Sequence, residues 1–282
     1  MERFLLLTNS DKDEGLFFAN HIKEFLEKRG KDVCIEQISS LDYKNDDPVF
    51  SQKKDLDCVL VLGGDGTMLG AARSFSKSEI PLLGVNLGTV GYLTSVNKDN
   101  LEASLQKLID DEYDIEERMM IEGDFISDGE IAGHAIALND IVVSKEKAFQ
   151  SLNFDVYVNG QLLTSYVGDG IIISTPTGST GYNLSAGGPI VEPPAELMVM
   201  TPISPHTLNS RSIVLSSKDE VTIKINEGKD GNIQTAVAMA DCVDRFDMKS
   251  LDCFSLRKSR KCARFIKLNS ESFLKVLHDK LQ

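Results

Sequence analysis

Gly63-Gly64-Asp65-Gly66-Thr67 is the stretch of this chain best suited to chemistry. It follows the apolar run Val59-Leu60-Val61-Leu62, which reads as a buried strand. Three glycines around one carboxylate then make a tight turn at the strand's carboxyl end, where open α/β sheets bind ligands. Glycines there can take positive φ and let a phosphate approach the backbone. The helical composition of Met68-Leu69-Gly70-Ala71-Ala72-Arg73 implies that the turn opens a helix, whose free N–H groups attract anions. Asp65 is then an acid standing where a phosphate should go, as a proton acceptor or as a ligand to a metal.

A second candidate is the run from Ser174 to Pro189, dense in hydroxyls and glycine and without a formal charge. Hydroxyl donors beside flexible backbone suit close contact with a sugar or a phosphate. The apolar strand Ile171-Ile172-Ile173 feeds directly into it, which favours a functional loop over a plain surface one. Asn139-Asp140 stands between Ala135–Leu138 and Ile141–Val143. An amide beside a carboxylate can read an adenine edge and ribose hydroxyls, although the pair alone means little and reads first as a turn or a strand bulge. Gly168-Asp169-Gly170 is a further acid between glycines and also fits a hairpin turn. Arg73 reads as an exposed helical arginine, His206 as a structural hydrogen-bonding group, and Met198 and Met200 as strand core. The acids Asp110, Asp111, Glu112, Asp114, Glu116 and Glu117 read as a solvated face.

These residues need a scaffold, and the apolar spacing supplies one. Strands are expected at Phe4–Thr8, Val33–Ile38, Val59–Leu62 and Leu82–Val85, with helices over Gly15–Lys28, from the glycine turn to about Ser76, and over Asn100–Asp110. Asp42–Asp55 reads as a loop. The alternation predicts a parallel sheet with helices on its faces. Later segments read as short strands: Met119–Glu122, Gly133–Ser144, Leu152–Val158, Gly170–Ser174, Ser212–Leu215, Glu220–Ile225, Ala236–Ala240 and Ser255–Leu268. Asn159-Gly160 signals a hairpin, and Ser270–Leu281 a terminal helix. The expected fold is an α/β domain over residues 1–100, carrying the glycine turn, and a β-rich, sandwich-like domain over 101–254.

The 282 residues can bury two modest cores. A formal net charge of −13 argues against nucleic-acid or anionic-membrane partners. It also means that a polyanionic ligand must be held by N–H groups, hydroxyls and a divalent cation. Cys34, Cys58, Cys242, Cys253 and Cys262 are odd in number and show no CxxC spacing, which fits a reducing cytoplasm without disulfides or zinc. Phe4-Leu5-Leu6-Leu7 is too short for a signal-peptide core, and no apolar run is long enough for a bilayer span.

Taken together the motifs resemble those of the NAD kinase family. The matching pieces are Gly63–Thr67, Gly88-Thr89-Val90-Gly91-Tyr92, Asn139-Asp140, Gly168-Asp169-Gly170, Ser174–Pro189 and Thr201-Pro202-Ile203-Ser204-Pro205-His206-Thr207-Leu208, in the family's order. The glycine-acid turn is shared with diacylglycerol and sphingosine kinases, whereas the hydroxyl-rich run combined with the Asn-Asp pair is far more specific. The resemblance implies transfer of the terminal phosphate of ATP, with Mg²⁺ or another divalent cation, to the 2′-hydroxyl of the adenosine ribose of NAD. It implies that Asp65 is the base and that Gly66 lets the dinucleotide approach. Tyr92 would lie near the adenine, and Asn139 and Asp140 would hold adenosine. Thr177, Thr180, Gly181, Tyr182 and Ser185 would line the adenosine pocket, with Asp169 and Ser204 at the nicotinamide end. It further implies a C-terminal tail, from about residue 255 to 282, that returns to the first domain, and a homodimer or homotetramer. Two departures stand out: Val167 replaces an arginine common in relatives, and Asp241-Cys242-Val243 replaces Asp-Gly-Gln. The competing readings are a lipid kinase built on the same glycine turn and a non-catalytic NAD-sensing module.

Overall fold

The computed structural model describes residues 1–38, 55–88, 91–207, 210–268 and 273–281. The expected loop at 42–55 therefore lies almost wholly outside the described residues, as do Thr89, Val90 and Leu208 of the motifs. The chain divides into two compact units, Met1–Arg118 with Cys262–Gln282, and Met119–Lys261. The division after Arg118 leaves the helix that follows residue 100 in the first unit.

In the first unit the strands β1 (Arg3–Asn9), β2 (Asp32–Ile38), β3 (Cys58–Gly63) and β4 (Leu82–Asn86) form a parallel sheet in the order β2-β1-β3-β4. All six residues of β3 are buried, as a strand covered on both faces requires. Thr8 pairs with Leu62 and Gly63 with Asn86, so the glycine turn leaves the sheet beside two buried polar residues at the ends of neighbouring strands. Three helices belong to this unit: α1 (Phe17–Glu27), α2 (Asp65–Phe75) and α3 (Leu101–Ile109). α1 buries Ala19, Ile22, Phe25 and Leu26, and α3 buries Leu101, Leu105 and Leu108, the stripes expected of amphipathic helices. They pack with Phe4, Leu6, Leu60, Leu62, Leu83 and Val85 in one core. The two-residue strand β5 (Val96–Asn97) adds to β4.

The second unit is antiparallel. β6 (Asp114–Ser127), which starts in the first unit, forms a hairpin with β7 (Glu130–Ala137). β8 (Asp140–Lys145), β9 (Leu152–Val158), β10 (Gln161–Gly168), β11 (Gly170–Ser174) and β12 (Leu197–Ile203) follow, with the four-residue helix α4 (Tyr182–Ser185) before β12. Then come β13 (Ile213–Ser216), β14 (Val221–Ile225), β15 (Thr235–Ala240), β16 (Asp244–Lys249) and the long β17 (Cys253–Lys267). One sheet runs β13-β12-β11-β8-β15-β16, and the other places β10, β9, β14 and the start of β17 side by side. Ile141, Ile171, Ile173, Met198 and Met200 of the first meet Phe154, Val156, Ile223, Phe254 and Leu256 of the second in a sandwich core. The last residues of β17 belong to the first unit, where Phe265 pairs in parallel with Leu82, and the terminal helix α5 (Phe273–Leu281) follows.

Gly133–Ser144 resolves into two strands, β7 and β8, on either side of Leu138-Asn139, in line with the two runs read around Asn139-Asp140. Two expectations need correction. The acidic run is not wholly a solvated face, because the Glu116 carboxylate pairs with Lys267 and, at 2.7 Å, with the buried Arg118. Arg73 is half-buried rather than exposed.

Candidate active site

The glycine turn is built for space rather than for unusual dihedrals. Gly63, Gly64 and Gly66 all avoid positive φ, contrary to the expectation from their type. A methyl on Gly63 would instead overlap the Thr67 side chain, and one on Gly64 would stand 2.8 Å from Lys12 Nζ. Gly64 is the extended residue before α2, and Asp65 is its first helical residue. The Asp65 carboxylate accepts the N–H of Tyr92 at one oxygen (2.8 Å) and of Leu93 at the other (3.1 Å). Each oxygen keeps a lone-pair direction for another donor. The acid is thus fixed in orientation and half-exposed, with the exposed Gly66 beside it.

Gly91 makes this possible. Any side chain there would overlap the Asp65 carboxylate. The second glycine loop therefore serves the acid, a role that the sequence does not show across 26 residues. Tyr92 is half-buried, and burial followed by the Asp65 charge raises its phenol above the usual value. The Lys280 ammonium lies 4.4 Å from its ring centroid.

In the second unit the segment Leu138–Asp140 is held from below by Asp241. Its carboxylate accepts the N–H groups of Leu138 (2.7 Å), Asn139 (2.9 Å) and Asp140 (3.2 Å). Asp241 and Cys242 both take left-handed backbone, with φ of 48° and 58°. Asp140 is buried, and burial together with the Asp241 charge pushes its carboxyl up to about 7. The hydroxyl-rich run closes over the same segment. Thr175 donates its N–H to the Asn139 carbonyl (2.8 Å) and its hydroxyl to that of Leu138 (2.5 Å). A methyl on Gly178 would overlap Asn139. Thr177–Thr180 form a 3-10 turn before Gly181 and α4.

Asn139 Oδ1 and Thr177 Oγ1 are buried and have no hydrogen-bond partner among the described residues. Orphaned acceptors of this kind cost about 1–3 kcal/mol each unless a ligand satisfies them. Thr180 and Gly181 are partly exposed, and Tyr182 and Ser185 are exposed on α4. The scaffold of this run is Asn183, fully buried, which donates to the carbonyls of Ser179 (3.0 Å) and Pro189 (2.9 Å) and accepts the Thr201 hydroxyl (2.7 Å). Asp169 links β10 to β11 as the chain changes sheets, so it is not in a hairpin turn. Its carboxylate pairs with Lys145 Nζ at 2.5 Å, a cation supplied from β8 where Val167 offers none. Ser204 is exposed, with φ of 45°.

The structure thus brings Asp65, Gly66 and Tyr92 together in the first unit, and Asn139, Asp140, Thr177, Thr180 and Gly181 in the second. Sequence reasoning missed Gly91 as the clearance for the acid, Asn183 as the scaffold and Asp241 as the support.

Comparison with known proteins bears on what these sites serve. Residues 4–113 match the family described as the ATP-NAD kinase N-terminal domain, and residues 138–268 match the ATP-NAD kinase C-terminal domain. An NAD kinase of Lachnoclostridium phytofermentans is 40% identical over 99% of both chains. One from Lachnospira eligens is 37% identical over the whole of both. Among solved structures, an NAD kinase from Archaeoglobus fulgidus in complex with ATP superposes with a TM-score of 0.77 at 25% identity, covering 98% of this chain and 97% of that one. Yeast NADH kinase complexed with NADH shares the fold, with a TM-score of 0.83 at 21% identity over 99% of this chain and 87% of that one. Full-length relatives of this kind support a kinase acting on NAD over a lipid kinase or a sensing module. The chain belongs to the NAD kinase family.

Proposed function

We propose that the phosphoryl group comes from ATP, carried with a divalent cation such as Mg²⁺, and goes to the 2′-hydroxyl of the adenosine ribose, with Asp65 as general base. The observation that carries this reading is the Asp65 carboxylate, oriented by the N–H groups of Tyr92 and Leu93 at the start of α2. Phosphoryl transfer is mostly positioning and electrostatic stabilisation, and a fixed acid can take the hydroxyl proton as the new bond forms. Such a base is worth ~10²–10⁴-fold. Asn139 and Thr177 support the acceptor side, since their orphaned oxygens suit the amine and hydroxyl donors of adenosine. Asp140 is placed to accept ribose hydroxyls, Tyr92 to face adenine, and Thr180, Gly181, Tyr182 and Ser185 to complete the pocket. Asp169 and Ser204 are assigned to the nicotinamide end. A homodimer or homotetramer working in the cytoplasm completes the proposal, in keeping with five free cysteines and with no described helix long and apolar enough to cross a membrane.

The test is to incubate the purified protein with NAD, ATP and Mg²⁺ and to measure NADP, with and without Asp65→Asn. The variant should keep NAD affinity within a few-fold and lose at least ~10²-fold in turnover. Wild-type turnover in the variant removes Asp65 from the base role, and no NADP under varied metals sinks the donor and acceptor assignment.

A further inference from the structure

Lys12 lies in the turn after β1, and that turn is firmly built. Its own N–H and that of Asp13 both donate to the Asn9 carbonyl at 3.0 Å, and Asp11 N–H donates to Asn9 Oδ1 at 2.9 Å. Asp13 is buried, and its carboxylate takes the Thr8 hydroxyl (3.0 Å) and the N–H groups of Phe18 (2.9 Å) and Ala19 (3.0 Å) at the start of α1. Thr67 of the glycine turn is reached by the Asn9 amide at 3.5 Å. The backbone at position 12 is therefore fixed beside that turn.

The side chain continues in the same direction. Lys12 Nζ stands 2.8 Å from where a methyl on Gly64 would be, one residue before Asp65. A glycine is what lets the ammonium come this close. Asp13, one of the two carboxylates that flank it in sequence, is committed to α1, and no ion pair ties Lys12 to another described residue. Other lysines of this acidic chain are paired, as Lys28 is with Glu24, Lys31 with Glu2, Lys145 with Asp169 and Lys258 with Glu196. A cation with no ion pair among the described residues, close to Gly64 of the glycine turn, has the charge and the place to meet an anion.

We propose that Lys12 is a phosphate-binding residue for the triphosphate donor, holding its non-bridging oxygens over Gly64. The inference rests on the transfer proposed above. In that transfer the 2′-oxygen bonds to the terminal phosphorus, and the bond from that phosphorus to the bridging oxygen breaks. ADP leaves with the electron pair, and the proton passes to Asp65. Lys12 keeps its own proton throughout and offsets charge on the phosphates.

Steady-state kinetics of Lys12→Ala and Lys12→Arg test this, together with calorimetric titration of MgATP. Lys12→Ala should raise the KM for ATP about tenfold or more, the usual weight of a charge-assisted hydrogen bond. The KM for NAD should stay within twofold, and Lys12→Arg should recover most of the loss. Added KCl should weaken MgATP binding more steeply in the wild type than in Lys12→Ala. An unchanged KM for ATP, or an equal rise in both KM values, overturns the proposal. Calorimetry keeps the two readings apart. A wild type that binds MgATP without making NADP refutes the transfer reading, whereas equal MgATP affinity in wild type and Lys12→Ala refutes the role of Lys12.

Discussion

Replacing Asp241 with Asn tests how the second unit holds Asp140. Burial and the Asp241 charge push the Asp140 carboxyl from 3.8 to about 7. At ~1.4 kcal/mol per pH unit, ionising it in the folded chain costs roughly 4 kcal/mol more than in the unfolded one. The sign follows from the raised value. Between about pH 4 and 7 the folded chain keeps a proton that the unfolded chain has released. The stabilisation from this group is therefore fully present at low pH, declines as pH rises through that window, and is gone above about 7. Carboxylates held low by partners, such as Asp57, Glu116 and Asp124, lose their contribution only as the pH falls below their ordinary values, outside this range.

Asp241→Asn removes the neighbouring charge but not the burial, which is the larger cause. Asp140 should then ionise at a lower pH while remaining above 3.8. The amide also puts a donor where one of three N–H groups now finds an acceptor, at a cost of about 1–3 kcal/mol at every pH. The diagnostic quantity is therefore the slope and not the level. Urea unfolding at pH 5, 6, 7 and 8 at constant ionic strength should show wild-type stability falling by about 1 kcal/mol per unit up to pH 7. The variant should level off earlier. Parallel curves for the two proteins would refute the coupling of the two acids.

Two further substitutions separate positioning from stability. Gly91→Ala should cut NADP formation by at least ~10²-fold, because the methyl displaces the Asp65 carboxylate, while the thermal midpoint moves only a few degrees; retained turnover would mean that Asp65 needs no fixed orientation. Thr177→Val keeps the shape and removes an orphaned hydroxyl, so calorimetric melting should show an unchanged or slightly more stable protein, with NAD affinity reduced about three- to tenfold. Unchanged NAD affinity would place that hydroxyl outside the ligand's reach.

The parts of the fold that sequence made legible are those with a strong burial contrast. β3 is apolar throughout, and α1 and α3 carry clear stripes. β10 and β16 have a weaker contrast. Each lies at the edge of its sheet, and only Tyr166 and Gly168 in β10 and Met248 in β16 are buried. Asp65 was legible because a carboxylate among glycines at a strand end is chemically conspicuous. Gly91 and Asp241 were not, because their meaning lies in contacts with residues 26 and about 100 positions away. Glu116 shows the same limit in reverse: a member of an acidic run, it is bound by Lys267 from the other end of the chain.

Net charge also proves a poor guide to what an acidic protein can bind. The excess of 43 acids over 30 bases acts at long range, where salt screens it within about 8–10 Å. A triphosphate at the glycine turn would meet a nearer set of charges. These are the N–H groups at the start of α2, the Lys12 ammonium over Gly64, and one carboxylate whose oxygens already accept Tyr92 and Leu93. Asp13 and Glu116, which could have repelled a phosphate from the same unit, are taken up by Thr8 and the α1 N–H groups and by Arg118 and Lys267. The commitments of individual carboxylates, rather than the sum of −13, decide whether an anion can sit beside Asp65.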